Sequence, residues 1–178
     1  LAFGQAQNNR RAGNRGGAVD IVGGSLDVSA EVVFTGNSAE VEGGAINISS
    51  ADLAVRSVSN EVPPARFIDN SAQFGGAIQI GGQTTGALPN PTIDGAVFEN
   101  NSATGLGGAV GLLGTADVEI VDTRFIGNTA NNGGAIYSQT SESFIRSSSD
   151  CRAFDFEDSD RYCSEFRDNV ADVGSAVV

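Results

Sequence analysis

The chain has 178 residues, one domain's worth, of which 40% are hydrophobic, with 24 Gly against 10 Phe, 2 Tyr and no Trp. Its 22 Asp and Glu outweigh 10 basic residues, all Arg, for a net charge of −12. That balance excludes the cationic face needed to bind nucleic acid or an anionic membrane surface, and the absence of His and Lys removes the commonest acid–base and substrate-clamping groups.

Residues 1–15 carry no clean copy of the repeat that fills the rest of the chain and are expected to form an irregular opening segment. From Gly16 onward two phrases alternate. One is Gly-Gly-Ala-aliphatic, at Gly16, Gly43, Gly75, Gly107 and Gly133, with Gly174-Ser175-Ala176-Val177 as a degraded last copy. The other begins with Phe and reaches Asn three residues later, starting at Phe34, Phe67, Phe98, Phe125 and Phe166. Self-similarity at this period marks a solenoid.

After each Gly-Gly, apolar residues alternate with polar or small ones, as in Ala45-Ile46-Asn47-Ile48 and Ala77-Ile78-Gln79-Ile80, which predicts a strand with one buried face. A second alternating run follows in Leu26-Asp27-Val28, Leu53-Ala54-Val55 and Val118-Glu119-Ile120, and the Phe phrase supplies a third. Such short strands cannot bury a face alone. Stacked at about 4.8 Å they make a coil in which Ile lies over Ile and Phe over Phe. The predicted fold is all-β: a parallel β-helix of about five to six coils over residues 16–178, with an inserted loop at 138–165. Right-handed winding is favoured, because left-handed helices keep a stricter hexapeptide repeat. Here the spacing runs from 26 residues between Gly107 and Gly133 to 41 between Gly133 and Gly174.

Within that coil Asn37, Asn70, Asn101, Asn128 and Asn169 are expected to stack as an internal amide ladder at one turn. Ala39, Ala72, Ala103, Ala130 and Ala171 suggest a tight corner, and the Gly-Gly pairs suggest positive φ or close approach of coils. These assignments are structural and leave the repeat without chemistry.

The paired FxxN and GGA(I/L/V) phrases resemble the repeats of chlamydial polymorphic membrane proteins, whose passengers are surface-exposed autotransporter adhesins; related repeats occur in other extracellular proteins. The resemblance covers nearly the whole chain from Gly16. It departs at Ser175, which replaces a Gly, and at Val170, which replaces the Ser or Thr after Asn. The resemblance implies an extracellular or cell-surface segment acting in adhesion or display.

Function in a solenoid is expected in irregular loops. Three qualify: residues 57–65 with Pro63-Pro64, residues 81–91, and residues 138–165. The last holds Cys151 and Cys163, together with Phe154, Phe156 and Tyr162 among Asp155, Glu157, Asp158 and Asp160. Two cysteines so close read first as a disulfide worth roughly 3 kcal/mol and implying an oxidising compartment, against free thiols or a zinc site short of ligands. The carboxylates are candidate calcium ligands, although their spacing fits no EF-hand or nonapeptide repeat, and the aromatics are candidate contacts for a protein or glycan. The competing reading is a local mini-core with solvated acids.

Asn47-Ile48-Ser49 and Asn100-Asn101-Ser102 match the N-glycosylation pattern, and both side chains are expected to face outward. A polysaccharide lyase or hydrolase would need paired carboxylates or an Arg base. Arg66, Arg124, Asp69 and Asp94 are the nearest candidates, and alternation makes them ordinary outward residues, so the chain is read as non-enzymatic without a cofactor. The alternative to adhesion is a structural rod, with neighbouring copies or further repeats as partners. No direct membrane insertion is expected. The start at Leu1 without Met and the stop inside a repeat read as a segment of a longer chain.

Overall fold

Apolar residues two apart close into strands only where another strand satisfies their backbone, and here each strand finds its equivalent one repeat away. In the computed structural model the described residues are 4–11, 14–29, 31–56, 63–82, 91–114, 117–139, 143–148, 163–174 and 176–178. They contain strands and no helix, and all the strand pairs are parallel.

Four sheets run along the solenoid. The Phe sheet comprises Gly4–Gln7, Val32–Thr35, Arg66–Ile68, Val97–Glu99, Arg124–Ile126 and Glu165–Arg167. The Ala sheet comprises Arg10–Arg11, Ser38–Ala39, Ser71–Phe74, Ser102–Leu106, Thr129–Asn132 and Val170–Val173. The GGA sheet holds Val19–Val22, Ile46–Ser49, Ile78–Gly81, Val110–Leu113 and Ile136–Ser138. The fourth holds Ser25–Ser29, Asp52–Arg56, Thr92–Asp94, Val118–Val121 and Ser143–Arg146. The result is a parallel β-helix of five coils and the beginning of a sixth.

The coil has one strand more than the three expected. The turn at the ladder Asn separates the Phe strand from a second strand that carries the Ala, so Ala72 and Ala103 lie on a strand facing inward rather than at a bend. The coil also extends into the segment read as an irregular opening: Gly4–Gln7 pairs with the strand Val32–Thr35, and Ala6 stands in register with Phe34. Within residues 138–165, Ser143–Arg146 pairs with Val118–Val121 and so belongs to the fourth sheet. Both segments join the coil because the pairing is made by backbone, which tolerates Ala in place of Phe.

Inside, Phe34, Phe67, Phe98, Phe125 and Phe166 form one stack, with centroid separations of 5.1, 4.7, 5.0 and 4.9 Å and interplanar angles under 10°. The strand spacing imposes this separation, and it falls within the range of offset-stacked rings. Columns such as Ile46–Ile78–Val110–Ile136 and Val55–Ile93–Ile120 complete the core.

Beside the Phe stack runs the amide ladder. The backbone N–H and Nδ2 of Asn37 both donate to Asn70 Oδ1, at 3.0 and 2.9 Å. Asn70 donates in the same way to Asn101, Asn101 to Asn128 and Asn128 to Asn169. The Nδ2 of Asn70, Asn101, Asn128 and Asn169 also donates to the carbonyl of the repeat Phe one coil back, as from Asn101 to Phe67 O at 2.9 Å, and that of Asn37 donates to Ala6 O. Asn9 adds a rung, donating through N–H and Nδ2 to Asn37 Oδ1. The residue before each rung is left-handed: Asn8, Gly36, Asp69, Asn100, Gly127 and Asp168 have φ between 53° and 64°. Gly, Asn and Asp tolerate that conformation best.

The Gly-Gly pairs divide two tasks. Gly43 has φ 63°, whereas Gly44 lies so close to the next coil that a Cβ would sit 2.1 Å from Gly76 O. The first Gly makes the turn and the second permits the approach.

Two neighbouring residues should respond oppositely to substitution. Asn101→Ala orphans the Asn70 donors and is expected to cost about 3 kcal/mol in urea unfolding, whereas Asn100→Gly, at positive φ, stays within ~0.5 kcal/mol. In the same assay Phe98→Ala should cost about 3–5 kcal/mol. Phe144→Ser, whose side chain faces solvent and is 54% exposed, should change little.

Candidate interaction corner at the base of the insertion

Where the fourth sheet gives way to the Phe sheet, Ser148 and Cys163 are the described residues that flank residues 149–162. The sequence places Asp122-Thr123-Arg124 at the same corner one coil earlier. Asp122 is 2% exposed with φ 47°, and its carboxylate accepts from Ser148 N–H at 2.7 Å and from Ser148 Oγ at 2.6 Å. A carboxylate so buried is held by such charge-assisted bonds.

The returning strand is fixed at the same place. Ser164 Oγ donates to Arg146 O at 2.8 Å, and Ser164 N–H donates to Ser147 Oγ at 3.0 Å. Thr123 N–H reaches Ser164 Oγ at 3.4 Å. Arg124, its side chain 12% exposed, pairs with Glu165 at 2.8 Å, and Arg146 pairs with Glu119 at 2.7 Å. The outgoing and incoming ends are therefore tied to each other and to the preceding coil. What this arrangement provides is a fixed base for an insertion, not a reacting centre.

The other candidates fall in different places. Cys163 is partly buried, and Cys151 lies outside the described residues. So do Phe154, Asp155, Phe156, Glu157, Asp158, Asp160 and Tyr162, the residues read as a calcium or partner loop. Among the described residues no group of three His, Cys, Asp or Glu is placed to hold a metal. Arg66, weighed as a catalytic base, forms an ion pair with Glu99 at 3.0 Å, and Asp69 occupies an exposed left-handed turn. Arg124 is the corner residue already described.

Asn47 corrects an expectation. Alternation assigns it outward, yet it is 1% exposed and its Nδ2 donates to Asp20 Oδ1 at 2.9 Å. Asn47 stands in register between Asp20 on one coil and Gln79 on the other, so the side chains of the adjoining coils enclose it. Gln79, in register with Asn47 on the next coil, is likewise buried. Asn100 does face solvent.

Sequence reasoning missed Asn9 and Asp122. Asn9 precedes Gly16 by seven residues, close to the six between Asn37 and Gly43, and that spacing was the available signal. Asp122 gave none, since its importance comes from Ser148, which reaches it from beyond the end of a strand on the next coil.

Four parallel sheets around stacked Phe and Asn columns define a parallel β-helix repeat protein. The family model of the Chlamydia polymorphic membrane protein repeat matches residues 31–49, 95–111 and 122–139. The chain is also similar to "Probable outer membrane protein PmpG" of Chlamydia muridarum (strain MoPn / Nigg), with 32% identity over 154 residues, covering 71% of this chain and 16% of that relative. The chain thus spans about a sixth of the relative's length. No solved structure matches it at a significant level.

If Asp122 anchors the corner, Asp122→Ala should speed hydrogen exchange at the Ser148 amide about tenfold for each ~1.4 kcal/mol lost locally, and leave the Phe98 amide unchanged. Equal acceleration at both amides would assign Asp122 to global stability.

Proposed function

We propose that this chain is a non-catalytic, extracellular β-helix segment that acts at a cell surface in adhesion or display. The observation that carries the reading is the division of labour in the coil. The recurring Phe, Asn, aliphatic, Gly and Ala residues serve packing, hydrogen bonding or turns, while the corner at Asp122 and Ser164 holds an insertion outside that scheme. Binding residues in repeat proteins concentrate in such irregular segments. The surface location is supported by the similarity to a chlamydial outer membrane protein, and by a net charge of −12 that disfavours nucleic acid. The partner in this reading is a protein or glycan met by residues 149–162.

The second reading is a structural rod. It is favoured by the exposed Val170 and Val173 on the last Ala-sheet strand, 61% and 54% accessible, where preceding coils carry Ser102 and Thr129 or pair through Leu106 and Asn132. Outward-facing apolar side chains favour association with another chain.

Beads coated with the purified chain test both readings, applied to cultured epithelial cells and to a glycan array. Adhesion predicts binding that falls about tenfold, the loss of at least one hot-spot contact, when residues 149–162 are replaced by a Gly-Ser linker. Absence of binding together with concentration-dependent sedimentation of the free protein would reject adhesion in favour of the rod.

A further inference from the structure

We propose that Asn100 is an acceptor for an N-linked oligosaccharide and that Asn47, which has the same sequence signature, is not. Both residues begin an Asn-x-Ser triplet, and no other Asn in the chain does. Their environments are opposite. Asn47 is buried with its amide nitrogen bonded to Asp20, so a sugar on that nitrogen has no exit between the coils. Asn100 is exposed at a left-handed turn with φ 55°, and its backbone N–H is fixed by Ile126 O at 2.9 Å. Its carboxamide has no hydrogen-bond partner among the described residues, in contrast to the adjacent Asn101, whose carboxamide is fully engaged in the ladder.

The neighbouring coil meets Asn100 with a residue that has no side chain. Glu99 pairs with Ile126, which brings Gly127 beside Asn100, so close that a Cβ on Gly127 would stand 2.5 Å from Asn100 Oδ1. A side chain at that position would collide with the Asn100 carboxamide, which is otherwise exposed. Ser102, the third residue of the triplet, is partly exposed on the outer face of the Ala sheet.

The transfer reaction joins Asn100 Nδ2 to C1 of the first sugar of a lipid-pyrophosphate-linked oligosaccharide. The bond from C1 to the phosphate oxygen breaks, the lipid pyrophosphate leaves, and the nitrogen gives up one proton to a base of the transferase. In a secretory pathway this occurs before Asn101 is locked into the ladder. The coil can then close with the glycan outside at Asn100, but not with one at Asn47.

Because the acceptor site is what is in question, the test imposes the route: secretion of the chain from cultured eukaryotic cells behind an added leader, followed by peptide mass mapping with and without peptide-N-glycosidase. The expected result is a glycan on Asn100 and none on Asn47 in the folded, secreted protein. Ser102→Ala should abolish the modification and Ser102→Thr should retain it, with unfolding curves showing that both variants are folded. Folded wild-type protein with Asn100 unmodified, or a glycan found on Asn47, overturns the proposal. Because the leader supplies the location, neither outcome depends on where the protein resides in its own cell, so failure here is distinguishable from failure of the surface reading.

Discussion

The double donation of each ladder Asn to the next is the interaction on which the rest of the structure depends. In a parallel stack of short strands, burial of one face opposes a slip of one residue, which exchanges inward and outward side chains, but not a slip of two, which restores them. The ladder removes that freedom. The Asn101 carboxamide oxygen accepts both the backbone N–H and the Nδ2 of Asn70 from the coil before it, while its own Nδ2 also donates to Phe67 O one coil back. When Asn70 is seated over Asn101, Phe67 is necessarily seated over Phe98, three residues earlier, and the rings meet at 4.7 Å. The polar column sets the register, and the aromatic column supplies the burial. Polar groups as deeply buried as these amides are stabilising only because every donor is placed.

Register also explains how the coil tolerates loops of unequal length. The Gly133 to Gly174 interval is the longest, yet Glu165–Arg167 pairs in step with Arg124–Ile126 and Phe166 stacks on Phe125 at 4.9 Å. The insertion is absorbed at a corner where Asp122, Ser148 and Ser164 bind its two ends, so the strands on either side keep their partners. A solenoid that confines variation in this way can carry different loops on one scaffold, which is the physical basis for reading it as a display framework.

Much of this was legible in the sequence, because a repeat states its own contacts: residues in the same phase must stack. The Phe, Asn and aliphatic columns are read directly from it. Asn9 escaped because Ala6 stands where the motif has Phe, so a search for the aromatic passed over a rung that backbone pairing preserves. Asn47 is buried although its phase is outward, because alternation reports which sheet face a residue occupies, not which side chains enclose it there. The strand Ser143–Arg146 lay within a stretch rich in Ser and was read as loop, although Ile145 continues the column of Ile120. The residue before each ladder Asn is always Gly, Asn or Asp, and its left-handed backbone gives the reason. The Asp122 corner joins segments 26 residues apart and left no periodic trace.

Carboxamides, and not packing alone, fix the coils. Trans-hydrogen-bond scalar couplings measured by NMR on isotopically labelled protein test this most directly. The expected result is a coupling from the backbone N–H of Asn37, Asn70, Asn101 and Asn128 to the side-chain carboxamide carbon of the next ladder Asn. Ordinary strand-to-strand couplings at Phe67 and Phe98 with none to the ladder carboxamides would contradict it.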